Sequence, residues 1–109
     1  MPKHEFGIME YAPVRGKRFD KYQPEKFNCI SVDDAYILPL SERLSEEQFY
    51  WHTLDVVGSG LAYCGITLIS PTGAQAMLNL TADMNELIEL NTLLKEAIER
   101  NCFMIHFGI

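Results

Sequence analysis

The 109-residue sequence predicts an α+β domain, a mostly antiparallel sheet of about five strands with two to three helices packed on one face. Three observations predict it. Short aromatic and β-branched segments are dispersed among helical patterns. Two of them, QFYWHTL (48–54) and GLAYCGITLIS (60–70), flank the turn signal Gly58-Ser59-Gly60 and so read as an antiparallel pair. One stretch, from about Ala82 to Arg100, is strongly amphipathic. No internal repeat or low-complexity stretch divides the chain, so residues 1–109 read as a single domain.

In chain order, HEFGIME (4–10) alternates weakly and reads as the first strand. The following YAPVRGKRFDKYQPEKF is rich in proline, glycine and charge and has no periodicity, which predicts a long basic loop over 11–26. FNCISV (27–32) reads as a second strand, with Ser31 and Asp34 spaced as in a capping box for a helix that Pro39 should kink or interrupt. After the 48–54 and 60–70 pair, Ser70-Pro71 predicts an N-cap and first helical residue for a short helix to about Leu78. Gly73 and Asn79 weaken that helix, and a hairpin turning at Pro71-Thr72-Gly73 is its rival.

Within the amphipathic stretch, Met84, Leu87, Ile88, Leu90, Leu93, Leu94, Ala97 and Ile98 form the apolar face. Thr81 or Asp83 can cap it, Glu96 and Arg100 make a favourable i,i+4 pair, and Asn101 can end it. CFMIHFGI (102–109) reads as a closing strand.

Composition narrows the classes of function. A hydrophobic fraction of 48% with 22% charged residues is ordinary for a globular domain. The net charge of -6 argues against nucleic acid as a partner, because phosphate backbones require a positive field. That charge is uneven: residues 1–27 hold six basic and four acidic residues, for +2, and the remainder holds three basic and eleven acidic, for -8. Cys29, Cys64 and Cys102 are widely spaced and fit no CxxC pattern, so they read as reduced thiols in a cytoplasmic protein. The N-terminus lacks the apolar core of a signal peptide, and no apolar run approaches membrane-spanning length; no membrane partner is expected.

The strands carry a further message. A sheet exposed to water on one face should alternate apolar with polar residues, yet here both faces are apolar. Phe49, Trp51 and Thr53 oppose Tyr50, His52 and Leu54, and Phe103, Ile105 and Phe107 oppose Cys102, Met104 and His106. Something must cover the second face: the 11–26 loop, a second copy of the chain, or a ligand.

No catalytic or cofactor signature accompanies this pattern. His4, His52 and His106 each fall in a predicted strand and form no HExxH or HxH metal spacing, so no metal and no cofactor is expected. Gly16-Lys17 lacks the spacing and the hydroxyl of a phosphate loop. His52 and Asp55 suggest an acid/base dyad only if the strand ends between them, since residues three apart on a strand face opposite ways. Cys64 has His52 across the proposed pair as its one plausible base. Asp33-Asp34 read as acidic residues favoured at a helix start. The catalytic residues are therefore unknown, and Arg18, Tyr22, Trp51, His52, Tyr63, Cys64 and His106 stand as candidates for ligand binding.

The blocks HEFGIM, CISVDD, YWHTLD, CGITLI and IHFGI resemble a family of short Gram-positive bacterial proteins with no assigned function. The resemblance spans most of the chain, implies a bacterial single-domain protein, and supplies no activity. It directs attention to the histidine-bearing strands.

Two expectations follow. The first is a non-enzymatic binding or interaction module that self-associates, as a homodimer, through its apolar sheet face. The alternative is a small enzyme or small-molecule sensor, with a pocket under the 11–26 loop where Arg18, His52, Tyr63 and Cys64 converge on a polar or anionic ligand. The sequence leaves open whether the protein is an enzyme.

Overall fold

A computed structural model describes residues 2–109. It contains one antiparallel sheet of six strands: β1 (Lys3–Ile8), β2 (Ile30–Asp33), β3 (Gln48–Trp51), β4 (Val57–Ser59), β5 (Ile66–Ile69) and β6 (Met104–Phe107). Their spatial order is β2-β1-β6-β5-β3-β4. The sixth strand, absent from the sequence reading, is β4, a short edge element built from the turn residues Val57–Ser59 and paired with β3. The expected antiparallel pairing of the 48–54 and 60–70 segments forms between β3 and β5, with Tyr50 opposite Leu68 and Trp51 opposite Thr67.

Both strands are shorter than their sequence pattern. β3 stops at Trp51 because His52 adopts φ 64, a left-handed conformation that a strand cannot continue through. In the other segment, Leu61 and Ala62 lie outside any regular element, a turn follows over 63–65, and β5 begins only at Ile66.

Helix α1 (Asp34–Arg43) is capped by Asp33, whose carboxylate accepts the Ala35 amide at 2.9 Å, and not by Ser31. Pro39 lies inside α1 without interrupting it. Helix α2 (Pro71–Thr81) starts with Ser70 accepting the Gly73 amide at 3.1 Å, so the rival hairpin does not form. Gly73 has a packing role: a Cβ there would lie 2.6 Å from the Phe49 ring, so its absence lets α2 approach the sheet. Helix α3 (Ile88–Arg100) starts later than the apolar pattern, because Met84 is extended and a 3-10 turn spans Asn85–Leu87. Neither Thr81 nor Asp83 caps α3. Instead the Thr81 hydroxyl meets Asn91 Oδ1 at 2.5 Å while Asn91 Nδ2 donates to the Thr81 carbonyl at 2.7 Å, pinning α2 to α3 inside the core. Asn101 ends α3 in the left-handed conformation.

The helices cover the sheet face that carries Phe6, Ile8, Val32, Phe49, Ile69 and Met104. The opposite face presents Met9, Ile66, Leu68, Ile105 and Phe107, with Phe19, Phe27 and Tyr50 packed against them. Among the three covers weighed for this face, the structure uses the chain itself. Residues 11–28 run over it as a strap, ending in a 3-10 turn at Pro24–Phe27.

Candidate functional site

The strap is tied down by side chains that sequence reading had grouped for other reasons. Asp55 Oδ2 accepts the Gly16 amide at 2.8 Å, and its Oδ1 accepts from Arg15 Nη1 at 3.3 Å. The His52 carbonyl accepts the Phe19 amide at 2.7 Å, while His52 Nδ1 lies 3.1 Å from the Phe19 carbonyl and 3.1 Å from Asp20 Oδ1. Further along, the Tyr22 hydroxyl donates to the Glu5 carboxylate and its ring meets Phe107 edge-on at 5.4 Å. His52 and Asp55 thus act together without touching: each holds one stretch of strap backbone, an arrangement made available by the strand ending at Trp51.

Close approach completes the docking. A Cβ on Gly7 would stand 2.6 Å from the Phe27 carbonyl, so β1 has a glycine where the strap crosses it. The half-buried Cys29 lies at the same crossing, and burial, followed by the charges of Glu5 and Glu25, pushes its thiol up to about 12. It is held protonated and unreactive there.

Between strap and sheet lies a groove of about 360 Å³ whose walls include Ile8, Met9, Pro13, Phe19 and Phe27. Lys17 and Lys26 also border it, and Glu10 is its one carboxylate. A second cavity of about 210 Å³ lies alongside, bordered by Lys17, Arg18, Asp20, Lys21, Gln23 and Lys26 among others. Lys17, Phe19, Lys26 and Phe27 line both spaces.

A different constellation occupies the helix-covered side. His4 and His106, 102 positions apart, meet because β1 pairs with β6. His4 Nε2 lies 2.8 Å from Asp34 Oδ1, His4 Nδ1 lies 2.9 Å from His106 Nε2, and His106 Nδ1 lies 3.0 Å from Thr67 Oγ1. The Ala62 amide donates to Thr67 Oγ1 at 2.9 Å, and the Tyr63 hydroxyl donates to Asp34 Oδ1 at 2.5 Å.

With Asp34 ionised and His106 neutral, the protons can run one way. Thr67 O–H donates to His106, His106 Nε2–H donates to His4, and His4 Nε2–H donates to Asp34. Every member is satisfied. Desolvation by burial pushes the His106 imidazole down to about 3. Hydrogen bonds from Tyr63 and then His4 hold the Asp34 carboxyl below its ordinary range, and that same carboxylate pushes Tyr63 up to about 12. His4, His106 and Thr67 are fully buried. This closed chain of bonds ties β1, β5, β6 and α1 together.

The residues singled out in the sequence therefore fall into separate places. Arg18 forms a two-point ion pair with Asp20, at 3.1 and 3.3 Å, and so stands one residue's reach from His52. Tyr63 and His106 belong to the histidine chain on the helical side, and Trp51 lies over Gly58 of β4 with its indole N–H donating to the Gly60 carbonyl at 2.9 Å. Cys64 is exposed in a turn and is not hydrogen-bonded to His52 among the described residues. The pocket under the loop is present, but its lining is Phe19, Phe27 and lysines in place of His52, Tyr63 and Cys64. Lys17 and Lys26 belong to the expected basic loop, Phe27 to the expected start of the second strand, and Asp34 to the expected helix start; none of them stood among the ligand-binding candidates.

No helix among the described residues is long and apolar enough to cross a membrane. No protein family, curated protein or solved structure matches the chain.

Proposed function

We propose that the protein is a non-enzymatic binding module that holds a small amphipathic molecule in the groove between its strap and its sheet. The observation that carries this reading is the groove: about 360 Å³, walled by aromatic and aliphatic side chains and bordered by two lysines. That volume falls in the range of small-ligand sites, and an apolar wall with a few polar groups is their usual construction. The strap performs the covering role that a homodimer was expected to perform, so self-association is not needed to shield the sheet.

Titrating isotope-labelled protein with decanoate, and following backbone amide shifts, tests the reading. Saturable shifts are expected at Ile8–Ala12, Phe19, Phe27 and Asn28. Shifts that do not saturate, or that cluster away from the strap, would overturn it.

A further inference from the structure

The geometry points to a headgroup subsite beside the groove, so that the ligand is an apolar body carrying a phosphate monoester; this rests on the binding reading above. The two cavities share Lys17, Phe19, Lys26 and Phe27 along a common border, so one molecule can occupy both. Their chemistry differs. The larger contains Ile8, Met9 and Pro13 together with Glu10, whereas the smaller adds Arg18, Lys21 and the carboxylate of Asp20 to the shared Lys17 and Lys26, and so has the greater excess of positive charge. An anionic group is therefore drawn to the smaller cavity and away from Glu10.

The count of unneutralised charges selects the headgroup. Arg18 is matched by Asp20, but among the described residues no carboxylate lies within ion-pairing distance of Lys17, Lys21 or Lys26. In a chain of net charge -6, three lysines without a carboxylate partner bordering 210 Å³ are a local excess of positive charge. A carboxylate would match one of them, and a phosphate monoester, with nearly two charges and three acceptor oxygens, matches the set better. Gln23 adds an amide donor at the same border. The aromatic rings of Phe19 and Phe27, each with a lysine ammonium over it at 5.2 and 5.7 Å, stand where head and body would join.

Calorimetric titration at pH 8 with octyl phosphate, octanoate and octanol separates the two levels of the argument. Octyl phosphate is expected to bind at least about 10-fold more tightly than octanoate, a difference of about 1.4 kcal/mol. Lys21→Ala, at an exposed position that borders only the smaller cavity, should remove most of that advantage while leaving octanol binding unchanged. Equal affinity for octyl phosphate and octanoate, or equal weakening of all three ligands by Lys21→Ala, overturns the headgroup assignment and leaves the groove. No binding of any of the three overturns both.

Vesicles of phosphatidylcholine, with and without phosphatidic acid, then distinguish the source of the phosphate. Recruitment by phosphatidic acid that octyl phosphate reverses supports a lipid headgroup. Octyl phosphate binding without recruitment supports a soluble ester.

Discussion

His106 and His4 face each other edge to edge across β6 and β1: the rings lie within 14° of parallel, their centroids are 5.1 Å apart, and a 2.9 Å hydrogen bond joins them. That separation is what an in-line imidazole pair requires, and the contact is a hydrogen bond between ring edges.

The pair makes stability depend on pH with a definite sign. The folded His106 is pushed down from 6.5 to about 3, so between those values the unfolded chain binds the proton and the folded chain does not. Stability is thus fully present above pH 6.5 and is lost as pH falls toward 3, by something on the order of a few kcal/mol. The Asp34 carboxyl, also lowered, adds a loss that sets in as pH drops below its ordinary value of 3.8. Urea midpoints measured from pH 8 to pH 4 should fall steadily below pH 6.5. A flat profile between pH 7 and 5 would contradict the neutral, buried assignment of His106.

Thr67→Val tests the inner end of the same chain. Valine keeps the shape but removes both the acceptor for the Ala62 amide and the donor to His106. Two polar groups lose their partner, and a loss of about 1–3 kcal/mol is expected. Equilibrium denaturation at neutral pH reads it, and an unchanged midpoint would mean that water replaces the hydroxyl without cost.

Gly7→Ala strikes the strap. The added methyl would have to displace the Phe27 backbone, 2.6 Å away, which flexible side chains cannot absorb. The cost should be about 1–3 kcal/mol, with decanoate binding weakened because Phe27 lines the groove. Wild-type stability and binding together would show that the crossing of strap and β1 is looser than described.

Asp55→Ala should loosen the strap without unfolding the domain. The Arg15–Asp55 contact is exposed, so global stability should change by less than about 1 kcal/mol. Trypsin, however, should cleave faster after Arg15, Lys17 and Arg18 once the Gly16 amide has lost its acceptor. Cleavage at the wild-type rate would show that His52 alone holds this segment.

The three cysteines should separate by reactivity. Cys64 is exposed and should be alkylated first, whereas Cys29, half-buried with its thiol pushed up to about 12, should be last. Mass-spectrometric mapping after brief iodoacetamide treatment decides it; early labelling of Cys29 would place the strap away from β1.

The two-sided apolar strands were legible in the sequence because side chains alternate strictly along a strand, and Phe49 and Tyr50 lie on opposite faces as that rule requires. Strand ends were less legible. Nothing in the composition of YWHTL marks His52 as left-handed; the conformation is imposed by its bonds to Phe19, Asp20 and Ile66, all distant in sequence. The basic loop was one of three covers considered for the second face, and its Phe19, with Phe27 just beyond its end, was the unused signal that it was the cover. The likeness of HEFGI and IHFGI hints at a shared environment for His4 and His106, but their meeting with Asp34 was not legible, since it depends on which strands become neighbours. Asp34 was the hardest case: local reasoning gave it a sufficient role at the start of α1.

The histidine chain also acts as a check on alignment. A two-residue slip of β1 against β6 would return every apolar side chain to its proper face, so hydrophobic burial alone barely distinguishes the two pairings. The slip would, however, break the line of bonds from Asp34 to Thr67 and leave imidazoles in the core without partners. The polar residues at the centre of this sheet therefore proofread its assembly: only one pairing of strands that are far apart in the chain leaves no proton unassigned.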